Sequence, residues 1–303
     1  MKSVIIGAGT DLGVHIDGAH LGPKQLINDI KGYYNGEIVE FIQDDSIIKS
    51  RGLYDRSKNK YEVNQLNEKM YKEILNKMRR GYFPITLGGD HTVAIPSSLA
   101  DANVNEDIGV IWIDAHTDYN TFETTITGNI HGLPLAAVTG YGCEELRKFY
   151  VGDIIQPAKT VIIGARAIDK EEKNNLKYAG VTVFSTEDIK KEGAKKIVEK
   201  AFEIASYKTK SIHISYDLDI IDPDIAPGVS VPEFDGINEE EAMEICDTII
   251  ENFDKVSSYD LVEFNPLRDV GRKTEQIAVN ILAKTIKAVE KLPEKEVNDE
   301  YLY

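Results

Sequence analysis

Short runs rich in Val and Ile recur along the chain, commonly closing on Gly, Asp or Ser, and no other feature limits the possible folds so tightly. A strand with one wet face alternates apolar and polar residues. A run that is apolar throughout fits a parallel strand covered on both faces. Eight such runs are read as strands: Ser3–Ile6, Ile38–Ile42, Phe83–Leu87, Ile108–Ile113, Thr160–Ile163, Val181–Phe184, Ile212–Leu218 and Tyr259–Phe264.

Helical patterns lie between several of them. From Val63 to Met78 the apolar residues Leu66, Met70, Ile74 and Met78 fall at spacings of three and four, which puts them on one helix face. Asn238 precedes Glu239-Glu240-Glu241, a capping residue followed by acids that meet the positive end of a helix. Ile277, Ile281, Ile286 and Val289 mark another amphipathic helix over Thr274–Val289. Strands alternating with helices predict right-handed crossovers and a doubly wound parallel α/β sheet, whose ligands sit beyond the carboxyl ends of the strands. The 303 residues are read as one catalytic domain, with the acidic tail Lys291–Tyr303 loosely held.

Charge and cysteine usage narrow the partners. With 51 Asp and Glu against 35 Lys and Arg, the formal charge of −16 repels phosphate backbones and anionic lipid, so nucleic acid and membrane are not expected partners. Cys143 and Cys246 are the only cysteines and form no Cys-x-x-Cys, which fits a reducing cytoplasm. The apolar run at Val4–Ile6 is too short for an export signal, and no stretch approaches the roughly 20 apolar residues of a membrane span.

Three clusters at strand ends carry the chemistry. Ile108–Ile113 runs into Asp114-Ala115-His116-Thr117-Asp118, and residues two apart in an extended chain point the same way. A second strand ends Ser215-Tyr216-Asp217-Leu218-Asp219, and a third ends Leu87-Gly88-Gly89-Asp90-His91, where two glycines allow a tight turn. Singly, each Asp reads as a turn residue and each His as a hydrogen-bonded core side chain. Together they gather buried carboxylates that cannot all stay ionised unless cations compensate them. Asp and His without thiolate favour a hard divalent ion such as Mn²⁺. Shared carboxylates would hold two ions roughly 3.5–4 Å apart around a bridging hydroxide.

These motifs, Gly88-Gly89-Asp90-His91, Asp114-Ala115-His116-Thr117-Asp118 and Ser215-Tyr216-Asp217-Leu218-Asp219-Ile220-Ile221-Asp222-Pro223, resemble the signatures of the arginase, or ureohydrolase, superfamily. The resemblance covers nearly the whole chain. It implies a three-layer α/β/α sandwich around an eight-stranded parallel sheet and two Mn²⁺ per chain. One ion would be held by His91, Asp114, Asp118 and Asp217, the other by His116, Asp114, Asp217 and Asp219. It also implies a homo-oligomer, a trimer or hexamer.

The loop Asn120–Gly132 is similar to that of arginases rather than agmatinases. By that similarity Asn120, Thr127 and Asn129 serve a substrate α-carboxylate and His131 shuttles a proton, roles that suit amide and hydroxyl donors and an imidazole. Arg166-Ala167-Ile168-Asp169-Lys170-Glu171-Glu172 resembles the segment that takes the α-amino group, with Asp169 and Glu172 in the matching places and Ala167 where arginases commonly have another Asp. Glu263 matches the glutamate that pairs with the guanidinium in a two-pronged contact. The reaction implied is hydrolysis of a guanidino C–N bond, with L-arginine giving ornithine and urea.

Val229-Ser230-Val231 stands where arginases and agmatinases usually have Thr-Gly-Thr and looks more like formimidoylglutamases, so formimidoylglutamate, agmatine and guanidinobutyrate stay open as substrates. A non-catalytic metal-binding relative is the reading from another class. Gly7-Ala8-Gly9-Thr10-Asp11-Leu12-Gly13 lacks the spacing of a dinucleotide turn, which argues against a dehydrogenase. His213 is read as a satisfied core histidine, and His15 and His20 sit in the glycine-rich stretch after the first strand with no role assigned.

Overall fold

In a computed structural model of the chain, which describes residues 1–44, 46, 49 and 57–294, the eight expected strands are all present and form one parallel sheet. They are β1 (Ser3–Gly9), β2 (Glu37–Ile42), β3 (Phe83–Gly88), β4 (Ile108–Ile113), β5 (Thr160–Ala165), β6 (Thr182–Ser185), β7 (Ser211–Asp217) and β8 (Val256–Val262). Their order across the sheet is β2-β1-β3-β8-β7-β4-β5-β6. Central β3, β4 and β8 are buried along their whole length, as their continuous apolar runs require. Of the tail Lys291–Tyr303, residues 295–303 lie outside the described part of the chain.

Nine α-helices complete the described residues: α1 (Gly22–Ile30), α2 (Lys60–Arg79), α3 (Ala94–Asn105), α4 (Pro134–Val138), α5 (Lys170–Ala179), α6 (Thr186–Glu192), α7 (Ala194–Ala205), α8 (Glu239–Glu251) and α9 (Lys273–Lys291). Two apolar layers form, one on each face of the sheet. On one face Leu26 of α1, Val198 of α7, Ile245 of α8 and Ile281 of α9 pack against Ile85, Ile111 and Ile214. On the other, Met70 and Ile74 of α2, Leu99 of α3 and Leu135 of α4 pack against Val4, Val110 and Trp112. The layers make the expected α/β/α sandwich. The Asn238 cap forms as the sequence indicates, its side chain accepting from Glu241 N at 2.9 Å while Glu241 accepts from Asn238 N at 2.8 Å. Among the described residues no helix is long and apolar enough to cross a membrane.

Two strands stop short of the carboxyl ends expected from the sequence, and both bear on the site. β7 stops at Asp217 and β8 at Val262, whereas the Val/Ile pattern carried them to Leu218 and Phe264. Asp217 accepts a hydrogen bond from Asp219 N at 2.8 Å, which winds Leu218–Ile220 into a single 3₁₀ turn. Glu263 takes a φ of +67°, which no strand residue can have.

Candidate metal centre and its cleft

The strand order places the site. β3, β8, β7, β4 and β5 are neighbours in that sequence across the sheet, so the segments leaving their carboxyl ends meet along one edge. His91 leaves β3, Glu263 β8, Asp217 and Asp219 β7, Asp114 to Asp118 β4, and Arg166 to Asp169 β5.

All six side chains named as metal ligands converge there. His91 Nδ1 lies 3.2 Å from Asp114 Oδ2, 3.2 Å from Asp118 Oδ2 and 3.0 Å from Asp217 Oδ2. His116 Nδ1 lies 2.8 Å from Asp219 Oδ2 and 3.5 Å from Asp114 Oδ1. Asp114 therefore sits between two imidazoles and offers one oxygen to each group. Asp217 stands with the His91 group.

The local fold that aims these residues is tighter than an extended chain. Asp114 accepts from His116 N at 2.6 Å and Asp219 accepts from Ala115 N at 3.1 Å, so carboxylates two residues apart are set by turns rather than by strand pleat. Asp118 is held at φ +48°, a left-handed conformation that a non-glycine residue keeps only when its surroundings impose it. Asp90 caps the turn that carries His91, accepting from Thr92 N at 2.9 Å and from Gly13 N at 2.8 Å. Gly89 is required by crowding: a Cβ there would meet Thr10 O of the β1 end at 1.8 Å. His91 stacks on Trp112 with centroids 4.1 Å apart, and its Nε2 lies 2.8 Å from Ser215 Oγ, which turns Nδ1 to the carboxylates.

The donor set fits hard divalent cations. Burial raises the pKa of Asp118 to about 7, with Asp114 adding to the shift, and burial with repulsion from Asp219 and Asp114 pushes Asp217 well above the carboxylate range. Burial opposes a proton on His91, but Asp114, Asp118 and Asp217 outweigh it and hold that pKa well above the ordinary imidazole value. His91 Nδ1 and Asp118 Oδ2 are buried without a hydrogen-bond partner. Orphaned buried polar atoms among crowded carboxylates are what cations would satisfy.

A cleft of about 310 Å³ opens over this edge. It is lined by Asp118, His116, Asp217 and Asp219 at the floor, and by Asn120, Thr127, Asn129, His131, Asp169 and Glu172 on the walls. Glu263 lies beneath, 2% exposed. Its Oε1 accepts from His91 N at 2.9 Å and lies 2.9 Å from His131 Nδ1, while its Oε2 is buried without a partner. Burial works against a charged His131, but Glu263, with Asp118 and Asp90 adding to it, outweighs burial and raises that pKa.

Two wall residues are already engaged by the protein. Glu172 and Asp169 form the capping box of α5, and Glu172 also accepts from Tyr119 N at 2.8 Å, locking the start of the Asn120 loop. Asn120 donates to Asp169 Oδ2 at 3.3 Å, so the elements proposed for the two ends of an amino acid touch each other.

Several cleft residues had no role in the sequence reading. His15 lies 2.8 Å from Asn129 through its Nδ1, Thr125 stands in the wall, and Glu233 approaches His116. The signal for His15 was present, because it follows β1, whose carboxyl end lies at the same edge. His20 does not line the cleft; its Nδ1 binds Asp11 Oδ2 at 2.6 Å. His213 is a core histidine as expected, 2.7 Å from Ser258 Oγ and 3.1 Å from Asp260 Oδ2.

A doubly wound α/β sheet carries at its carboxyl edge two overlapping Asp and His groups, His91-Asp114-Asp118 and Asp114-His116-Asp219, each able to hold a metal ion. The chain belongs to the arginase family, whose profile matches residues 1–287. An arginase of Bacillus caldovelox is 34% identical over 299 residues, spanning 93% of this chain and 97% of the relative. Its native structure superposes with a TM-score of 0.85 at 32% identity, covering 94% of this chain and 98% of that one. An arginase of Bacillus subtilis is 35% identical over 285 residues, 92% of this chain and 95% of the relative. A structure of Entamoeba histolytica arginase in complex with L-ornithine gives a TM-score of 0.85 at 25% identity, with 94% and 97% covered.

Proposed function

We propose that this chain is a manganese-dependent amidinohydrolase that cleaves L-arginine to ornithine and urea. The observation that carries the reading is the position of Asp114, one carboxylate shared between His91 and His116, with Glu263 holding a free buried oxygen close by. His91, Asp114, Asp118 and Asp217 would hold one ion, and His116, Asp114, Asp217 and Asp219 the other. Bound there, two divalent cations neutralise the carboxylates and supply a nucleophilic water near neutral pH.

The remaining chemistry belongs to the protein. Glu263 Oε2 receives the guanidinium, and the fixed Oε1 keeps the carboxylate from turning away. With Nδ1 engaged by Glu263, His131 delivers a proton from Nε2 to the leaving amine. Asn120, Thr127 and Asn129 take the α-carboxylate, and Asp169 the α-amino group. Glu172 serves by fixing Asp169 and the loop at Tyr119. The relatives named arginase and the ornithine complex of one of them support this choice of substrate. We place the activity in the cytoplasm on cysteine usage, and in a homo-oligomer on the family resemblance.

Val231 in the cleft wall favours formimidoylglutamate as the second substrate to test. A panel of arginine, agmatine, formimidoylglutamate and guanidinobutyrate, assayed with Mn²⁺, separates the readings. Urea from arginine at the highest kcat/KM supports the proposal. Background urea from arginine with turnover of another member overturns it.

A further inference from the structure

We propose that Glu233 is a positioning residue for His116, the carboxylate that fixes which nitrogen of that ring faces Asp114 and Asp219. The inference rests on the metal centre proposed above. His116 is the least buried of the six candidate ligands, its side chain 24% exposed against 7% or less for the others. Its Nδ1 faces Asp219 and Asp114, while its Nε2 points away from them and lies 3.7 Å from Glu233 Oε1. Among the described residues Glu233 is the one carboxylate in ion-pair reach of that nitrogen.

An imidazole that binds a cation through one nitrogen needs an acceptor for the N–H on the other, or its tautomer and ring angle are undetermined. His91 has Ser215 Oγ and the Trp112 face for this purpose. His116 has neither. Ala167, which lines the same cleft and donates its backbone N–H to Ala115 O at 3.0 Å, brings only a methyl group.

A carboxylate on a loop can orient a ring only if the loop itself is held, and Arg166 holds it. Its Nη2 donates to Glu233 O at 2.8 Å and its Nε to Phe234 O at 3.0 Å. The same guanidinium donates to Asp219 O at 2.8 Å and Ile220 O at 3.0 Å. One side chain thus ties the Glu233 loop to the turn that presents Asp219. Arg166 grips the backbone and leaves the Glu233 carboxylate, 39% exposed, to close on the ring. At 3.7 Å the contact is longer than a hydrogen bond, and a cation on Nδ1 would polarise the N–H toward the carboxylate.

The test is calorimetric titration of metal-stripped protein with Mn²⁺, comparing wild type, Glu233→Gln and Glu233→Ala, with thermal unfolding of each stripped protein beside it. The expected result is one class of Mn²⁺ site weakened by about 10- to 100-fold in Glu233→Ala, the other unchanged, and Glu233→Gln in between because it keeps an acceptor without the charge. The stripped variants should melt with the wild type. Equal affinities in all three proteins overturn the proposal. Equal weakening of both classes with a lowered Tm of the stripped Glu233→Ala protein assigns Glu233 to loop stability and also overturns it. A wild type that takes up no Mn²⁺ overturns the metal centre itself and this inference with it.

Discussion

His131 Nδ1 and Glu263 Oε1 lie 2.9 Å apart, and the same Glu263 oxygen accepts the backbone N–H of His91. The Glu263 carboxylate is therefore fixed between His131, the proposed proton donor, and the turn that carries His91. Glu263 sits at φ +67° to reach both, a strain of about 1–3 kcal/mol held by its surroundings.

Replacing His131 by Ala should lower kcat by about 10²- to 10⁴-fold with KM little changed, the usual contribution of a positioned general acid. Glu263→Gln should shift the alkaline limb of the kcat/KM profile to lower pH, because the carboxylate raises the His131 pKa and its loss lets that group deprotonate earlier. An unmoved limb would show that the titrating group is another residue. Steady-state kinetics across pH settle both points.

Metal and pH should act on stability in opposite senses. Asp118 titrates at about 7 in the metal-free fold against an ordinary value of 3.8, a raised folded pKa, so its contribution is present at low pH and lost as pH rises through neutrality. Asp217 and His91, also raised, act in the same sense. Bound cations need the deprotonated forms, so metal stabilises more as pH rises. The difference in Tm between Mn²⁺-loaded and stripped protein should widen between about pH 5 and pH 8. A constant difference would contradict the assignment of these groups as ligands.

Cys143 and Cys246 should be inert to thiol reagents in the folded protein. Both are buried, and burial pushes each thiol up to about 12, which leaves little thiolate near neutral pH. Labelling should be slow in the native state and complete for both in denaturant. Rapid native labelling of either would show that its surroundings open.

His213 should matter to stability and not to chemistry. It sits between Ser258 and Asp260, and Asp260 also accepts from Ser97 Oγ at 2.5 Å, in a polar layer under the central strands. His213→Ala removes one of the two side chains on Asp260, leaving Ser97, and should cost about 1–3 kcal/mol in denaturant unfolding. KM and Mn²⁺ content should hold in whatever fraction stays folded. Loss of metal without loss of stability would place His213 in the site.

The strands and the convergence of the six Asp and His side chains were legible because both are written in local pattern: continuous apolar runs for buried parallel strands, and Asp or His clustered where those runs stop. The geometric reason was only partly legible. Period-two spacing pointed to Asp217 and Asp219 on an extended chain, whereas the Asp217 side chain ends the strand and winds a turn. Glu233 was illegible as a cleft residue because its place depends on a tertiary contact, the Arg166 clamp on its loop, whereas His15, just after β1, was open to the same strand-end argument. Glu172, read as a substrate contact, has oxygens engaged with Tyr119 N and Asp169 N, a fact no spacing reveals.

The most direct test is urea release from L-arginine as Mn²⁺ is titrated into chelator-stripped protein, followed alongside ornithine. The account predicts negligible urea before metal, a rise that saturates at two equivalents per chain, and urea equal to ornithine throughout. Folded protein that binds manganese and still leaves arginine intact would contradict it.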